Sequence, residues 1–140
     1  MAEIKISELS IGDWVCYDKD TTPCSIRSIY RTGVQDCVVM NDSYFKEGVI
    51  GFVDMLKPIP LTAEILEKNG FVGGEIYEGI STIVFTNGNI SISMFKKSKW
   101  YRLRIYNALG DTELCSAIVH NVHQLQHALR LAGVKKEIEL

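Results

Sequence analysis

Thr82-Ile83-Val84-Phe85-Thr86-Asn87-Gly88-Asn89-Ile90-Ser91-Ile92-Ser93-Met94 is the stretch on which the fold turns. Ile83 and Phe85 fall on one face of an extended chain, and Ile90, Ile92 and Met94 share a face in the same way. Between the two runs stands Asn87-Gly88, the dipeptide that most strongly signals a tight hairpin. A second alternating pair follows, Trp100 to Tyr106 and Glu113 to Val119, joined through Leu109-Gly110-Asp111. The expectation is a four-stranded antiparallel meander, with Gly73-Gly74 as a flexible loop ahead of it.

Helices are expected on both sides of this meander. Thr62 to Gly70 has a capping hydroxyl at Thr62, early acids and an Asn69-Gly70 stop, which predicts about two turns of helix. Asn121 to Gly133 has Asn121 and Gln124 at capping-box spacing, a stripe of Val122, Leu125, Leu129 and Ala132, and a closing glycine. Glu137 to Leu140 alternates and suggests a short edge strand.

Upstream, Lys57-Pro58-Ile59-Pro60 divides the chain, because two prolines stop a ladder. Before it come short strand-like runs: Asp13 to Tyr17, Ser25 to Arg31, Cys37 to Met40 and Val49 to Val53. In the second of these, Ile26, Ser28 and Tyr30 are placed on one face. Turn signals separate the runs, so residues 1–58 are expected to form a small SH3-like β-barrel unit and residues 59–140 an α-β-β-β-β-α unit packed closely on it. The class is α+β; a single mixed sheet using both sets of strands is the alternative.

The chain has 140 residues, 46% of them hydrophobic and 23% charged, a composition of globular proteins. At this length ~70% of the unfolded surface can be buried, so no metal or disulfide is needed for folding. The net charge of -2 argues against bulk polyanion binding. No apolar run approaches the ~18 residues of a membrane span and the first residues lack a signal-peptide core, so a cytoplasmic location is expected. Cys16, Cys24, Cys37 and Cys115 show no close pair of the zinc-binding kind and read as packed thiols.

Three landmarks recur in order: Leu9 to Val15, Pro60-Leu61-Thr62 through Ile65-Leu66 to Gly70-Phe71, and Val122-His123-Gln124-Leu125-Gln126. Together they resemble a family of short uncharacterised proteins of gut anaerobic bacteria and their phages or mobile elements. Asp13-Trp14 departs from the Asn-Tyr common there, as does the continuation His127-Ala128-Leu129. The resemblance implies an intracellular accessory protein and carries no catalytic residue with it.

No catalytic constellation emerges, and no cofactor or metal is expected. His123 and His127 are four apart on a helix, a spacing that suits a metal, but no acid or thiol in the helix completes a ligand set. They are placed beside the apolar stripe as a polar contact flank. Cys115 and His120 are neighbours in sequence, whereas thiol-imidazole dyads are assembled from distant segments. Gly70, Gly73 and Gly74 lack the strand and helix context of a phosphate loop. Gly79 to Ile83 lacks the second glycine of a nucleophile elbow.

The densest cluster is Lys96, Lys97, Lys99, Trp100, Arg102 and Arg104. With Tyr101 and Leu103 directed to the core, Trp100, Arg102 and Arg104 share the outer face, an arrangement suited to stacking bases and pairing phosphates. Residues 1–60 carry 6 basic and 9 acidic side chains and residues 61–140 carry 9 and 8, net -3 and +1. The expected function is a non-enzymatic interaction or adaptor protein with an unidentified protein partner. Trp100 and Tyr44 are contact residues, and an exposed sheet face or the His123–His127 flank is the docking surface. The alternative is a nucleic-acid-binding protein using the basic, aromatic hairpin.

Overall fold

The computed structural model describes residues 4–18, 22–31, 33–41, 48–76, 82–95 and 100–140. The chain forms two units, Met1–Ile59 and Pro60–Leu140, each built on its own five-stranded antiparallel sheet. With two helices in the second unit, the class is α+β. The two sheets are separate, so the single mixed sheet does not form.

The first unit begins with a 3-10 turn, Ile6–Glu8, followed by β1 (Trp14–Tyr17), β2 (Cys24–Tyr30), β3 (Cys37–Asn41) and β4 (Val49–Phe52). A second 3-10 turn, Val53–Met55, leads to β5 (Leu56–Pro58), and the strand order is β4-β3-β2-β1-β5. Ile4, Leu9, Val15, Cys24, Ile26, Val38, Met40, Val53 and Leu56 make the core. Gly12 at φ 91° turns the chain into β1, and the fully buried Asp13 accepts the Ser10 N–H at 2.8 Å. A short polar side chain here satisfies a turn donor that burial would otherwise leave unpaired.

The expected alternation of β2 fails after Ile26. The register with β3 shifts between Ile26 and Ser28, so Arg27 is an extra, bulged residue. Ile29 therefore packs on the core and Tyr30 turns outward, 54% exposed, in place of the shared Ile26-Ser28-Tyr30 face.

The second unit runs α1 (Ala63–Lys68), β6 (Val72–Ile76), β7 (Thr82–Asn87), β8 (Ile90–Phe95), β9 (Tyr101–Tyr106), β10 (Glu113–Val119) and α2 (Val122–Leu131). The sheet is a meander, β10-β9-β8-β7-β6, with five strands and not four. The additional strand contains Gly73-Gly74, read from sequence as a loop. Gly73 pairs with Phe85, whose ring occupies the space a Cβ at Gly73 would need, and the register shift before Glu75 accommodates Gly74. Glycine thus admits an aromatic cross-strand neighbour.

The first hairpin is offset by one residue from expectation. Asn87 pairs with Ile90, so the two-residue turn is Gly88-Asn89, with Gly88 at φ 59°. Positive φ at the first central position alone is the type II′ pattern, which suits glycine there. Asn89 then holds the neighbouring strand: its Nδ2 donates to the Tyr106 carbonyl at 2.6 Å and its carbonyl accepts the Tyr106 N–H at 2.9 Å.

Both helices end as their sequences foretell. After α1, Gly70 N–H bonds Glu67 O and Phe71 N–H bonds Leu66 O, each at 3.0 Å; after α2, Gly133 and Val134 repeat the pattern on Arg130 and Leu129. This double closure satisfies carbonyls that the helix cannot. Thr62 and Asn121 cap the starts, and Gln124 Oε1 accepts from His120 N–H, one residue before the cap. Val122, Leu125 and Leu129 are fully buried, while Ala132 is exposed. The tail past Gly133 is not a strand: Ile138 is buried and Glu139 is held by Asn69. No helix among the described residues is long and apolar enough to cross a membrane.

Candidate binding surfaces

Strand β9 sorts its side chains as its alternation requires. Tyr101, Leu103 and Ile105 are buried, whereas Arg102, Arg104 and Tyr106 are half-exposed on the opposite face. Tyr101 earns its polar tip a partner, its hydroxyl donating to the Leu61 carbonyl at 2.7 Å; burial pushes its pKa up. On the outer face, the ladder sets Arg102 between Ser93 of β8 and Ile118 of β10, and Arg104 between Ser91 and Ser116. Neither arginine forms an ion pair or side-chain hydrogen bond among the described residues, and Arg102 Nε is buried without an acceptor.

Strand parity puts Phe95 on this outer face, and Trp100 packs against it with ring centroids 4.5 Å apart at 40°. An aromatic pair therefore lies at one end of a face that carries two guanidiniums without a counter-charge among the described residues. The expectation that Trp100, Arg102 and Arg104 share a face agrees with this arrangement. Lys96, Lys97 and Lys99 lie outside the described residues, as does Tyr44.

The histidines are separated by burial. His123 is only 3% exposed, His127 is half-buried and His120 is exposed. His123 and Gln126 join the packed face of α2, because that face is wider than the aliphatic stripe alone. His123 and His127 meet edge to face at 5.9 Å. The contact flank assigned to them is thus corrected: one of its two imidazoles faces inward. Among the described residues no three His, Cys, Asp or Glu side chains gather as a metal site.

The remaining sequence candidates resolve locally. Gly70 closes α1 and Gly73-Gly74 belong to β6, so no glycine loop exists there. Of the four free cysteines only Cys24 is buried; Cys16, Cys37 and Cys115 are half-buried, more open than packed thiols are expected to be. Gly79 to Ser81 lie outside the described residues.

Two surfaces were not singled out from sequence. The first is the outer face of the N-terminal sheet, where Tyr30 aligns with Cys37 and Phe52, and Val39 with Ile50. Tyr30, Ile50 and Phe52 are 54%, 71% and 42% exposed, forming a contiguous apolar patch on β2, β3 and β4. Its signal was in Val49-Ile50-Gly51-Phe52: Gly51 faces inward against Met40 and Tyr17, which leaves its bulky neighbours outside. The second is a cleft of about 400 Å³ between Ile4–Ile6, the turn at Val34–Asp36, and Val53 with Asp54.

Comparison with protein-family models, with curated proteins and with solved structures finds no match.

Proposed function

We propose that this chain is a small non-enzymatic interaction module, whose protein partner is engaged by an outward sheet face. The carrying observation is the apolar patch of Tyr30, Cys37, Val39, Ile50 and Phe52, which exposes aliphatic and aromatic area on three adjacent strands. We read the N-terminal unit as SH3-like. A five-stranded order in which β5 returns to pair with β1, reached through a 3-10 turn after β4, supports that reading. It would be an accessory protein of the kind its sequence resemblance implies.

The test is affinity capture with the wild-type chain and with Ile50→Ser/Phe52→Ser, in the presence of nuclease. A partner retained by the wild type and lost by the variant, at equal thermal stability, is the expected result; equal recovery by both overturns the assignment.

The second reading, single-stranded nucleic acid on the outer face of the C-terminal sheet, is favoured by the charges of Arg102 and Arg104, which have no acidic partner among the described residues, beside Phe95 and Trp100. It requires binding that weakens steeply with salt.

A further inference from the structure

The outer face of the C-terminal sheet changes character along β9. Outward residues of one strand recur about every 7 Å, so Trp100, Arg102 and Arg104 mark successive rows across the sheet. The Trp100 row is aromatic, with Phe95 beside it. In the Arg102 row the order is Val84, Ser93, Arg102, Ile118. In the Arg104 row it is Thr86, Ser91, Arg104, Ser116, which puts hydroxyl residues on both sides of the guanidinium. Neither row contains an acid between β7 and β10. Arg102 is half-buried, and its Nε is shielded from water with no acceptor. An anionic oxygen is the partner such a group lacks, because charge-assisted bonds to guanidinium are the strong ones.

The row spacing selects among anions. The phosphates of a nucleoside diphosphate share one bridging oxygen and sit too close together to occupy both arginine rows. A whole sugar separates successive phosphates of an extended single strand, a repeat comparable with the distance between rows. We infer that a single nucleic-acid strand lies lengthwise on β9, with a base stacked at Trp100 and two consecutive phosphodiesters at Arg102 and Arg104. A path across the strands would meet only one guanidinium, since each row holds a single arginine. Beyond Arg104 the exposed Glu113 pairs with Tyr106, and its carboxylate repels a further phosphate there. The smallest ligand that fills all these positions is a trinucleotide. This placement rests on the nucleic-acid reading of the face and adds to it the direction of the strand and the partner of each phosphate.

The test is an NMR titration of the full chain at low salt, read at the Trp100 indole and at the Arg102 and Arg104 amides, with Ile50 on the other sheet as the unmoved control. The probes are trithymidylate, the same trinucleotide with a neutral methylphosphonate at one or the other linkage, and thymidine 5′-diphosphate. For the wild type, each methylphosphonate and the diphosphate should bind on the order of tenfold more weakly than trithymidylate. In Arg102→Ala the methylphosphonate should cost almost nothing at one linkage and keep its full effect at the other; in Arg104→Ala the two linkages should exchange. Both variants alter half-exposed side chains and should keep the wild-type thermal midpoint within a few degrees.

Hexathymidylate and hexauridylate separate the two levels of the argument. If neither binds, the nucleic-acid reading fails and this placement with it. If either binds while trithymidylate lacks the crossed pattern, or while thymidine diphosphate binds as tightly as trithymidylate, the lengthwise placement is overturned and the reading stands.

Discussion

The side-chain amide of Asn69 pairs with the backbone of Glu139 as a strand neighbour would. Its Nδ2 donates to the Glu139 carbonyl and its Oδ1 accepts the Glu139 N–H, both at 2.8 Å across 70 residues of sequence. The same Nδ2 contacts the Ile65 carbonyl at 2.8 Å, and Asn69's own carbonyl accepts from Asn87 Nδ2 at 3.3 Å. One residue at the end of α1 thus ties the helix, the C-terminal tail and the β7–β8 turn together, and Ile138 is buried beside it.

Asn69→Ala removes both tail bonds and leaves the part-buried Glu139 N–H and carbonyl without these partners. A loss of about 1–3 kcal/mol in chemical denaturation is expected, with faster hydrogen exchange at the Glu139 amide. Unchanged exchange there would show that the tail is held by Ile138 alone.

Gly73→Val sets a branched side chain where the Phe85 ring lies. Overpacking of this kind costs about 1–3 kcal/mol. Gly110→Ala is the comparison: nothing crowds its Cβ, but its φ of 75° strains any L side chain, so a smaller loss is expected. Urea midpoints measured on both variants rank the two effects.

Leu129 and Leu131 differ by two positions and by almost all of their exposure, 0% against 90%. Leu129→Ala should cost about 2–5 kcal/mol, whereas Leu131→Ala should stay within about 0.5 kcal/mol of the wild type. Thermal unfolding checks both.

Tyr101 gives the alkaline response a direction. Burial raises its pKa above the ordinary 10.0, so between the unfolded and folded values the native state holds the proton more firmly. Its contribution to stability is complete below pH 10 and is lost as the pH rises through the folded value. Tyr101→Phe also forfeits the bond to the Leu61 carbonyl, about 1 kcal/mol. The variant should be less stable at neutral pH and show a shallower decline above pH 10 in denaturation curves.

Should the nucleic-acid reading hold, Arg102→Ala and Arg104→Ala will each lower the slope of log affinity against log salt by about 1 unit. Trp100→Ala will weaken binding by about 1–3 kcal/mol while leaving that slope alone. Fluorescence titration with a short oligonucleotide distinguishes the two behaviours.

Much of this construction is written locally. The caps at Thr62 and Asn121, the stops at Gly70 and Gly133, and the alternation that turns Arg102 and Arg104 outward depend on neighbours within a few residues. The four strands β7–β10 are legible for the same reason. β6 is not, because two adjacent glycines carry no strand signal; its identity depends on Phe85, supplied by another strand. Likewise Arg27 resembles any strand residue until the pairing with β3 makes it a bulge and sends Tyr30 to the surface.

The candidate surfaces divide along the same line. Trp100, Arg102 and Arg104 could be placed together because strand parity is a property of one segment. The imidazoles could not be sorted so, since helical spacing gives His123 an angle but not the width of the layer packed on α2. The apolar patch at Tyr30, Ile50 and Phe52 needed three strands in register before it existed.

What the amino-acid order alone determines here is the class of each segment, where helices begin and end, and which side chains of a regular strand point together. Tertiary structure decided the bulges, the fifth strand, the burial of His123 and the clasp between Asn69 and Glu139. Local backbone preferences act over three or four residues, whereas burial and ladder register are set by partners distant in sequence.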